Sequence, residues 1–412
     1  MSSFSRGVCR CMLVNTRRLR VRDVNSVQCR GAASQVGAAR REKRGAGADH
    51  GSKLSDVDPQ LRNLCEKFPK TFGRRTDRPE NIYHVHSVAV GMLMESIGTM
   101  ADLDDAVLFE ANPGPGILTR CLLKSGVPHL RVFEKNPLFL KELEGLKQRY
   151  PSQLEVVEED LLRLPTLQAC DSYGITSRVD ALLRGLPPQA WKEPPCLLVI
   201  ASLSRKRELS FLRFLLHMLP QRASLFAIGR IDFLLFLTET EYTYLSASNS
   251  DHNFKKYRDV SILYKLFFDI EVLGKVPRAL FLPLPQKEGK TPDQRMCNGQ
   301  QMHLVHLSPR SDLFDILDPP ERLQELVFFI RQNMVKRSAY IIPTLEKWIP
   351  GCGPRLIRGG VRVFDRMGDL SPNQVLSVFR LFSSLPEYAH SPFQAAVARE
   401  MPPTHDDDHD ES

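Results

Sequence analysis

Apolar runs and amphipathic stretches alternate along the middle of the chain. Short, continuously apolar runs predict buried strands at residues 106–111, 130–136, 154–162, 196–202, 223–238, 269–277 and 303–309. Apolar residues at helical spacing predict helices at residues 81–100, 116–126, 137–150 and 206–219. Because strands and helices alternate in units of roughly 25–30 residues, the pattern predicts parallel βαβ crossovers in a three-layer, Rossmann-like α/β sheet.

The pattern changes after residue 309, where helical spacing alone continues. Predicted helices cover residues 320–337, 339–349 and 371–385, and Ser371 and Pro372 suit the N-cap and first turn of the last one. A Pro-rich stretch at 164–195 has no regular period. The predicted organisation is a leader at 1–44, a linker at 45–60, an α/β domain at 61–315, a small all-α domain at 316–400 and an acidic disordered tail at 401–412.

Composition places the chain among soluble globular proteins, because 42% of its 412 residues are hydrophobic and 25% are charged. The net charge of +8 belongs to the leader, where eleven Arg and Lys residues face two acids. Such an Arg-rich, acid-poor start is typical of a mitochondrial presequence and predicts that the protein is located in the mitochondrial matrix. The alternative is a disordered basic tail.

The rest of the chain is nearly neutral, so any nucleic-acid site must be a local basic patch. No apolar run reaches the ~18 residues that cross a bilayer, and no membrane partner is expected. The nine cysteines show no zinc-like spacing, and no metal is expected.

Residues 107–126 join a predicted strand to a predicted helix through a turn with two glycines. Gly114 and Gly116 lack Cβ atoms and allow the backbone to lie close to a ligand, and Asn112 tolerates positive φ. The following helix directs its N–H groups and its positive end to the same place. Taken alone, a GxG turn is also compatible with a tight turn that binds nothing.

Two acids at the ends of the next two predicted strands favour a nucleoside ligand. Glu134 follows Gly114 by about 20 residues, the spacing at which a carboxylate binds a ribose diol in dinucleotide folds. Asp160 ends the third strand. The turn lacks a third glycine and a P-loop lysine, which disfavours NAD and ATP and favours S-adenosylmethionine. The alternative is that both acids are solvated strand ends.

Five stretches follow one another in the order of the ribosomal RNA adenine dimethyltransferase family, which the chain resembles from about residue 70 to residue 385. They are FEANPGPGILTRCLL, VFEKN, VVEEDLLRL, AIGRIDFLLFL and VPRALFLPLPQK. The turn NPGPGILT is similar to the second paralogue of the family's mitochondrial transcription factor B branch.

The resemblance implies an S-adenosylmethionine site in which Glu134 binds the ribose and Asp160 binds the adenine amino group. It also carries over the glycine turn and, through the stretch RRTDR, an arginine near the cofactor. The implied cofactor-binding residues are Arg75, Glu110, Gly114, Gly116, Glu134 and Asp160.

The family's catalytic motif, Asn-Leu-Pro-aromatic after the fourth strand, is degraded here. In the family, the Asn side chain and a backbone carbonyl accept hydrogen bonds from the target amino group, and the ring stacks on the flipped base. This chain has Ser202, Leu203, Ser204 and Arg205 in that slot. Losing a base stack costs about 1–3 kcal/mol, and misplacing the nucleophile costs about a hundredfold in rate.

The resemblance to the second paralogue implies a transcription initiation factor that helps the mitochondrial RNA polymerase open promoter DNA in the nucleoid. Two alternatives stay open: an active dimethyltransferase of small-subunit ribosomal RNA, and an RNA-binding ribosome-assembly protein. Basic residues interleaved with Tyr257 favour phosphate contacts and stacking on a single strand, unless they are solvated helix faces. The predicted nucleic-acid-binding residues are Arg205, Lys206, Arg207, Lys255, Lys256, Arg258, Arg331, Lys336 and Arg337.

Overall fold

The computed structural model describes residues 57–100, 107–173, 177–250, 254–286 and 300–400. The predicted leader, nearly all of the predicted linker and the predicted acidic tail lie outside these residues. The first described helix begins at Pro59, inside the predicted linker.

The described strands form a seven-stranded sheet in the order β3-β2-β1-β4-β5-β7-β6. The strands are β1 (Val107–Ala111), β2 (Leu130–Phe133), β3 (Leu154–Val157), β4 (Leu197–Ser202), β5 (Ile231–Thr238), β6 (Phe268–Pro277) and β7 (Gln301–Pro309). Strands β1 to β5 are parallel, whereas β7 is antiparallel to both β5 and β6. The predicted Rossmann-like α/β fold is confirmed, and the carboxyl ends of β1 to β4 meet at one edge of the sheet.

Helices connect the parallel strands and then follow the sheet. Those before β5 are α1 (Pro59–Lys67), α2 (Pro69–Phe72), α3 (Ser87–Thr99), α4 (Ile117–Ser125), α5 (Pro137–Lys147), α6 (Leu164–Tyr173), α7 (Arg178–Leu183) and α8 (Glu208–Met218). Those after β5 are α9 (Glu239–Ser246), α10 (Asp259–Phe267), α11 (Arg322–Met334), α12 (Ile341–Leu345), α13 (Gly353–Arg358), α14 (Pro372–Ser383) and α15 (Pro392–Glu400).

Apolar side chains cover both faces of the sheet, and β4 and β5 are buried along their whole length. Leu197 and Val199 of β4 join one apolar cluster, and Leu198 and Ile200 join another, since successive residues of a strand point to opposite faces. A strand covered on both sides needs apolar residues at every position. This requirement explains why the strand runs in the sequence are continuous rather than alternating.

Two predicted helix ends are confirmed. Gly126 ends α4 in the left-handed conformation, and its N–H donates to the carbonyls of Leu122 and Leu123. Ser371 caps α14 through a reciprocal capping box with Gln374.

The predicted helix at 81–100 was wrong at its start. Residues 81–86 are extended, and Tyr83 pairs with Leu282 in an isolated antiparallel bridge. The helix begins only at Ser87, after His86 accepts the N–H of Val88 as its N-cap. Residues 81–86 therefore reach the carboxyl edge of the sheet instead of lying along a helix.

Two further boundaries differ from the prediction. The run at 223–238 is a strand only from Ile231, because Gly229, with φ at 121°, separates the strand from a short 3-10 turn. The Pro-rich stretch at 164–195 contains the helices α6 and α7, whose apolar residues pack into the main core.

Helices α11 to α15 follow the last strand. Phe328 and Phe329 of α11 belong to the same apolar cluster as Phe211 and Leu212 of α8. The division into an α/β domain and a helical domain at residue 315 stays a prediction. Among the described helices, none combines the length and the apolar character needed to cross a membrane.

Candidate cofactor pocket and nucleic-acid groove

The turn between β1 and α4 has a left-handed backbone at three positions. The angle φ is 51° at Asn112, 60° at Gly114 and 71° at Gly116. A Cβ on Gly114 would lie 2.7 Å from Cδ1 of the buried Tyr83 ring. Glycine is therefore required at residue 114 both by the backbone angle and by space. Helix α4 begins directly after this turn.

Glu134 follows β2 and faces this turn. Its Oε2 accepts the N–H of Gly114 at 3.0 Å, and its Oε1 accepts the N–H groups of Lys135 and Asn136 at 2.9 Å each. Burial raises the pKa of the Glu134 carboxyl to about 7, although the three N–H donors oppose this rise. A carboxylate has about four acceptor positions, so one remains for a donor such as a ribose hydroxyl.

Asp160 lies beyond β3 and is buried. Its Oδ1 accepts a hydrogen bond from Nδ2 of Asn112 at 3.2 Å and from the N–H of Leu162 at 3.1 Å. Its Oδ2 lies 2.8 Å from Nη1 of Arg207. Both oxygens of the acid predicted to bind adenine therefore have protein partners.

Arg207 comes from the turn between β4 and α8. Its Nη2 donates to Oε1 of Glu80 at 2.5 Å, so the guanidinium bridges Glu80 and Asp160. The residue is 9% exposed. The guanidinium of Arg207, a predicted nucleic-acid contact, is directed into the protein, where two carboxylates neutralise its charge.

These side chains surround a cavity of about 520 Å³ at the carboxyl edge of the sheet. Its lining includes Tyr83, Glu134, Asp160, Arg207 and Glu80. Arg75 is not part of the lining, and its Nη1 donates to the carbonyl of Pro285 at 3.2 Å. The structure thus brings Glu134 and Asp160 together with the glycine turn, but it does not bring Arg75 to them.

Glu110 makes its contacts inside the protein and does not line the cavity. Its Oε1 lies 3.3 Å from Nε2 of His84, and its Oε2 accepts a hydrogen bond from Oγ1 of Thr119 at 2.7 Å. The Nδ1 of His84 lies 2.8 Å from Oγ of Ser202. This order of serine, histidine and acid resembles a hydrolase triad. All of these residues are buried, however, so the network ties β1 and β4 to the segment before α3.

The two serines of the degraded motif also make their contacts inside the protein. Ser202 contacts His84, and Oγ of Ser204 donates to the carbonyl of Glu80 at 2.7 Å. Leu203 is fully buried, and Arg205 is partly exposed. Within this slot, both serine hydroxyls are therefore satisfied by the protein rather than directed at a target base.

The pocket fits an adenosyl group at one end only. Glu134 suits the ribose, because its carboxylate lines the cavity and has acceptor capacity left, whereas the ring of Tyr83 covers Gly114 of the turn. At the adenine end, the guanidinium of Arg207 already contacts Oδ2 of Asp160. Over the described ranges, no cluster of three or more His, Cys, Asp or Glu residues is placed to hold a metal ion.

A second concavity, here called the basic groove, lies between α8, α9, α10 and α11. Its volume is about 760 Å³. Its lining consists of Leu209, Arg213, Glu241, Tyr244, Arg258, Asp259, Val260, Arg331, Gln332, Met334 and Val335. Two predicted nucleic-acid contacts, Arg258 and Arg331, thus belong to one surface although they are far apart in sequence.

Other predicted basic residues border the groove. Burial raises the pKa of Glu241, and the positive charges of Arg213, Arg205 and Lys256 oppose that rise. Burial lowers the pKa of Arg337, and the nearby charge of Arg258 adds to this effect. The chain neighbours Lys206, Lys255 and Lys336 are exposed beside these residues. Arg205, Lys256 and Arg337 thus lie close to residues that line the groove, and a role in nucleic-acid binding for all of these residues stays a prediction.

Tyr257, the predicted stacking residue, is fully buried, and its hydroxyl donates to the carbonyl of Leu370 at 2.9 Å. Three other rings are exposed to solvent: Phe254, Tyr340 and Phe364. We call these three rings the aromatic surface.

Arginines accompany the aromatic surface. Arg337 lies over the ring of Phe254 at 5.3 Å, and Arg366 lies over the ring of Tyr340 at 5.2 Å. The rings of Tyr340 and Phe364 are 6.2 Å apart. Because Arg337 is also close to Arg258, the aromatic surface continues from the basic groove.

Sequence reasoning missed the segment that supplies Glu80, Asn81 and Tyr83 to the pocket. Asn81 donates to Oδ1 of Asn112 at 3.3 Å, which supports the glycine turn from its other side. In the letters NIYHVH, the β-branched residues Ile82 and Val85 and the aromatic Tyr83 favour an extended segment. That signal identifies the segment as extended, whereas the predicted helix at 81–100 includes it.

The parallel sheet, its antiparallel β7, the glycine turn and the acid after β2 define the fold of S-adenosylmethionine-dependent methyltransferases. The model of the family described as ribosomal RNA adenine dimethylase matches residues 92–384. The chain belongs to this family.

Relatives refine the assignment. The chain is 29% identical over 375 residues to dimethyladenosine transferase 2, mitochondrial, of Drosophila melanogaster, with 80% of this chain and 82% of that protein covered. It is 27% identical over 385 residues to the protein of the same name from Bos taurus, with 92% and 91% covered. These matches confirm the predicted similarity to the second mitochondrial paralogue and the mitochondrial location.

A solved structure is also similar in outline. A dimethyladenosine transferase from Plasmodium falciparum superposes with a TM-score of 0.48 and 15% identity, and the alignment covers 72% of this chain and 96% of that one.

Proposed function

We propose that this protein is a transcription initiation factor of the mitochondrial matrix, which helps the mitochondrial RNA polymerase to open promoter DNA by holding a melted strand in the basic groove. The observation that carries the proposal is the turn after β4. Ser202 and Ser204 are both buried and contact groups inside the protein, so neither hydroxyl is exposed to a target adenine. The basic groove, in contrast, is open to solvent.

The charges of the groove suit a nucleic-acid backbone. Among the described carboxylates, none lies within 4.0 Å of the side-chain nitrogens of Arg205, Lys206, Lys255 or Lys336. Two acids, Glu241 and Asp259, also line the groove, and Asp259 pairs with Arg213 at 3.7 Å. Arg331 also pairs with a third acid, Glu400, at 3.0 Å. The cations that border the groove outnumber these acids, and phosphate contacts of this kind bind any sequence.

The aromatic surface favours a single strand over a duplex. Exposed rings can stack only on bases that have left their own stack, and stacking contributes about 1–3 kcal/mol per base with little sequence preference. Phe364 is 78% exposed and lies beside Arg366 and Tyr340, which contribute charge and a second ring. A groove of cations continued by rings therefore fits melted DNA.

The cofactor pocket supports S-adenosylmethionine binding as the ancestral role of this fold. Glu134 would hold the ribose of S-adenosylmethionine, a methyl donor. The engaged adenine end and the degraded slot support weak or vestigial binding. Under this proposal the pocket is not needed for promoter opening.

Run-off transcription on a mitochondrial promoter tests the proposal. The mitochondrial RNA polymerase would be assayed with and without this protein, on duplex templates and on templates melted in advance around the start site. We expect strong stimulation on the duplex and little on the melted template, because the second template needs no opening. Equal yields on the duplex with and without the protein would contradict the proposal.

The second candidate is an active dimethyltransferase of small-subunit ribosomal RNA, and the intact glycine turn with Glu134 favours it. Labelled S-adenosylmethionine and small-subunit ribosomal RNA give the test. We expect little label in the RNA, since the slot lacks the amide and the ring of the family motif. Double methylation of two adjacent adenines would instead support the enzyme.

A further inference from the structure

The adenine end of the cofactor pocket contains an arginine whose contacts the proposed function does not explain. Arg207 is buried, and its guanidinium contacts two carboxylates from different segments, Asp160 at 2.8 Å and Glu80 at 2.5 Å. Glu80 is also bound through its carbonyl by Ser204 of the degraded slot. One side chain thus links the segment before α3, the end of β3 and the turn after β4.

The ordinary explanation is a structural ion pair that holds three segments together. Such a pair can form at many places, and buried pairs contribute little net stability once the cost of desolvation is included. This one, however, lies in the cavity and takes the acid that the adenosyl fold uses. The position of the contact, rather than its strength, therefore makes it informative.

Asp160 has one acceptor position left, on the same oxygen that Arg207 contacts, so an adenine amino group that reaches Asp160 would meet the guanidinium there. Its Oδ1 already accepts hydrogen bonds from Asn112 and Leu162, and its Oδ2 faces the guanidinium. Either donor would bind an ionised carboxylate, but only the guanidinium adds the attraction of its own positive charge. The neutral amino group of adenine is therefore the weaker competitor for Oδ2.

We propose that Arg207 is an internal occupant of the adenine subsite, and that it sets the affinity of this chain for adenosyl ligands. Binding of the adenine requires the contact between Arg207 and Asp160 to open. Because Arg207 also holds Glu80, and Glu80 holds Ser204, opening of the subsite moves the turn after β4. This inference does not depend on promoter opening by the basic groove.

Isothermal titration of the full chain with S-adenosylhomocysteine tests the proposal. We expect Arg207→Met to bind this ligand about tenfold or more tightly than the wild type, since methionine has similar length without the charge. Lys141→Met is the control, because Lys141 is exposed on α5 and does not line the cavity, and the affinity of this variant should equal that of the wild type. Unchanged or weaker binding by Arg207→Met would overturn the proposal.

A double-mutant cycle separates this effect from a general loosening of the pocket. Asp160→Ala should weaken binding strongly in the Arg207→Met protein, where the adenine reaches Asp160, and only slightly in the wild type. Equal effects in both backgrounds would show that Arg207 does not compete for this acid, and they would overturn the proposal.

Loss of the ion pair could also unfold the protein, and thermal melting without ligand detects this. In that case Glu80→Gln replaces Arg207→Met as the test, because Glu80 has a side chain that is 64% exposed and its loss frees only one end of the guanidinium. We then expect binding to tighten by about threefold. No change would again contradict the proposal.

Discussion

The cofactor pocket and the basic groove are both lined by charged residues, yet they differ in where those charges find partners. In the pocket, Glu134 and Asp160 are buried and each accepts a hydrogen bond from the turn after β1, and the buried Arg207 contacts Asp160. Around the groove, cations such as Lys206 and Lys336 are directed to solvent. A charge that is neutralised inside the protein holds the fold together, whereas a charge left in solvent is available to a phosphate.

Two arginines of one short run show this difference most directly. Arg205 is partly exposed and lies near Glu241 at the groove, whereas Arg207, two residues later, is buried in the pocket. The turn after β4 therefore separates the two surfaces. Residue type alone does not show to which of the two surfaces an arginine belongs. The contacts of its side chain determine its role.

The largest expected effect concerns Glu208, which follows this turn and is buried against β5. Its oxygens accept the N–H and the hydroxyl of Thr238 at 2.5 and 2.9 Å, and burial raises its pKa to about 8 from 4.5. The native state therefore holds this proton more firmly than the unfolded chain does. Between about pH 4.5 and pH 8 the free energy of unfolding falls as pH rises, and above pH 8 the loss is complete.

Glu208→Gln removes this titration. We expect the difference in unfolding free energy between variant and wild type to shift by about 3–4 kcal/mol in favour of the variant from pH 5 to pH 9. Urea denaturation at both pH values measures it. Parallel pH curves for the two proteins would mean that Glu208 is not buried as described.

The sequence predicted which residues lie at the pocket more readily than it predicted the contacts between their side chains. Gly114, Glu134 and Asp160 could be grouped because the carboxyl ends of parallel strands meet at one edge of a sheet. The role of Arg207 could not, because the direction of a side chain in an irregular turn depends on contacts with Glu80 and Asp160, which are remote in sequence.

The aromatic residues of the groove show the same limit. Tyr257 and Phe254 lie three residues apart in one basic stretch, and either could have been the exposed ring. The structure buries Tyr257 against Leu370, which lies 113 positions further along the chain, and leaves Phe254 at the surface. Such long-range packing leaves no period in the local sequence.

Gly114→Ala tests whether the pocket is held in a fixed shape. We expect a loss of about 2–4 kcal/mol in unfolding free energy, because the new Cβ combines a left-handed backbone with a clash against Tyr83. Gly126→Ala is the control, since φ is 90° there but the space is open, and it should cost about 1–2 kcal/mol. Urea denaturation compares the two. Equal costs would mean that the ring of Tyr83 yields and that the turn is not rigid.

We expect the affinity of the groove for single-stranded DNA to depend on the positive charges that line it. Removing two lining cations with Arg258→Gln and Arg331→Gln should weaken binding of single-stranded DNA about tenfold at low salt. Because each lost phosphate contact lowers the logarithmic salt slope by about 0.7, the slope should fall by about 1.4. Fluorescence anisotropy across a salt series measures both quantities.

The matched control for this pair is Lys124→Gln with Lys141→Gln, which removes the same charge from α4 and α5. These exposed lysines do not line the groove, so we expect the salt slope to stay as in the wild type. A similar fall in both double variants would show that net charge, rather than the groove, governs binding.

The smallest expected effect is that of Phe364→Ala, and it separates stacking from charge. Because the ring is 78% exposed, its loss should change unfolding free energy by less than about 0.5 kcal/mol. Binding of a single strand should weaken about fivefold, with an unchanged salt slope, since stacking releases no counterions. Val363→Ala removes a neighbouring exposed apolar side chain and should have no effect. If Phe364→Ala leaves strand binding intact but weakens binding of the mitochondrial RNA polymerase, then the aromatic surface contacts protein, and only the cations of the groove contact DNA.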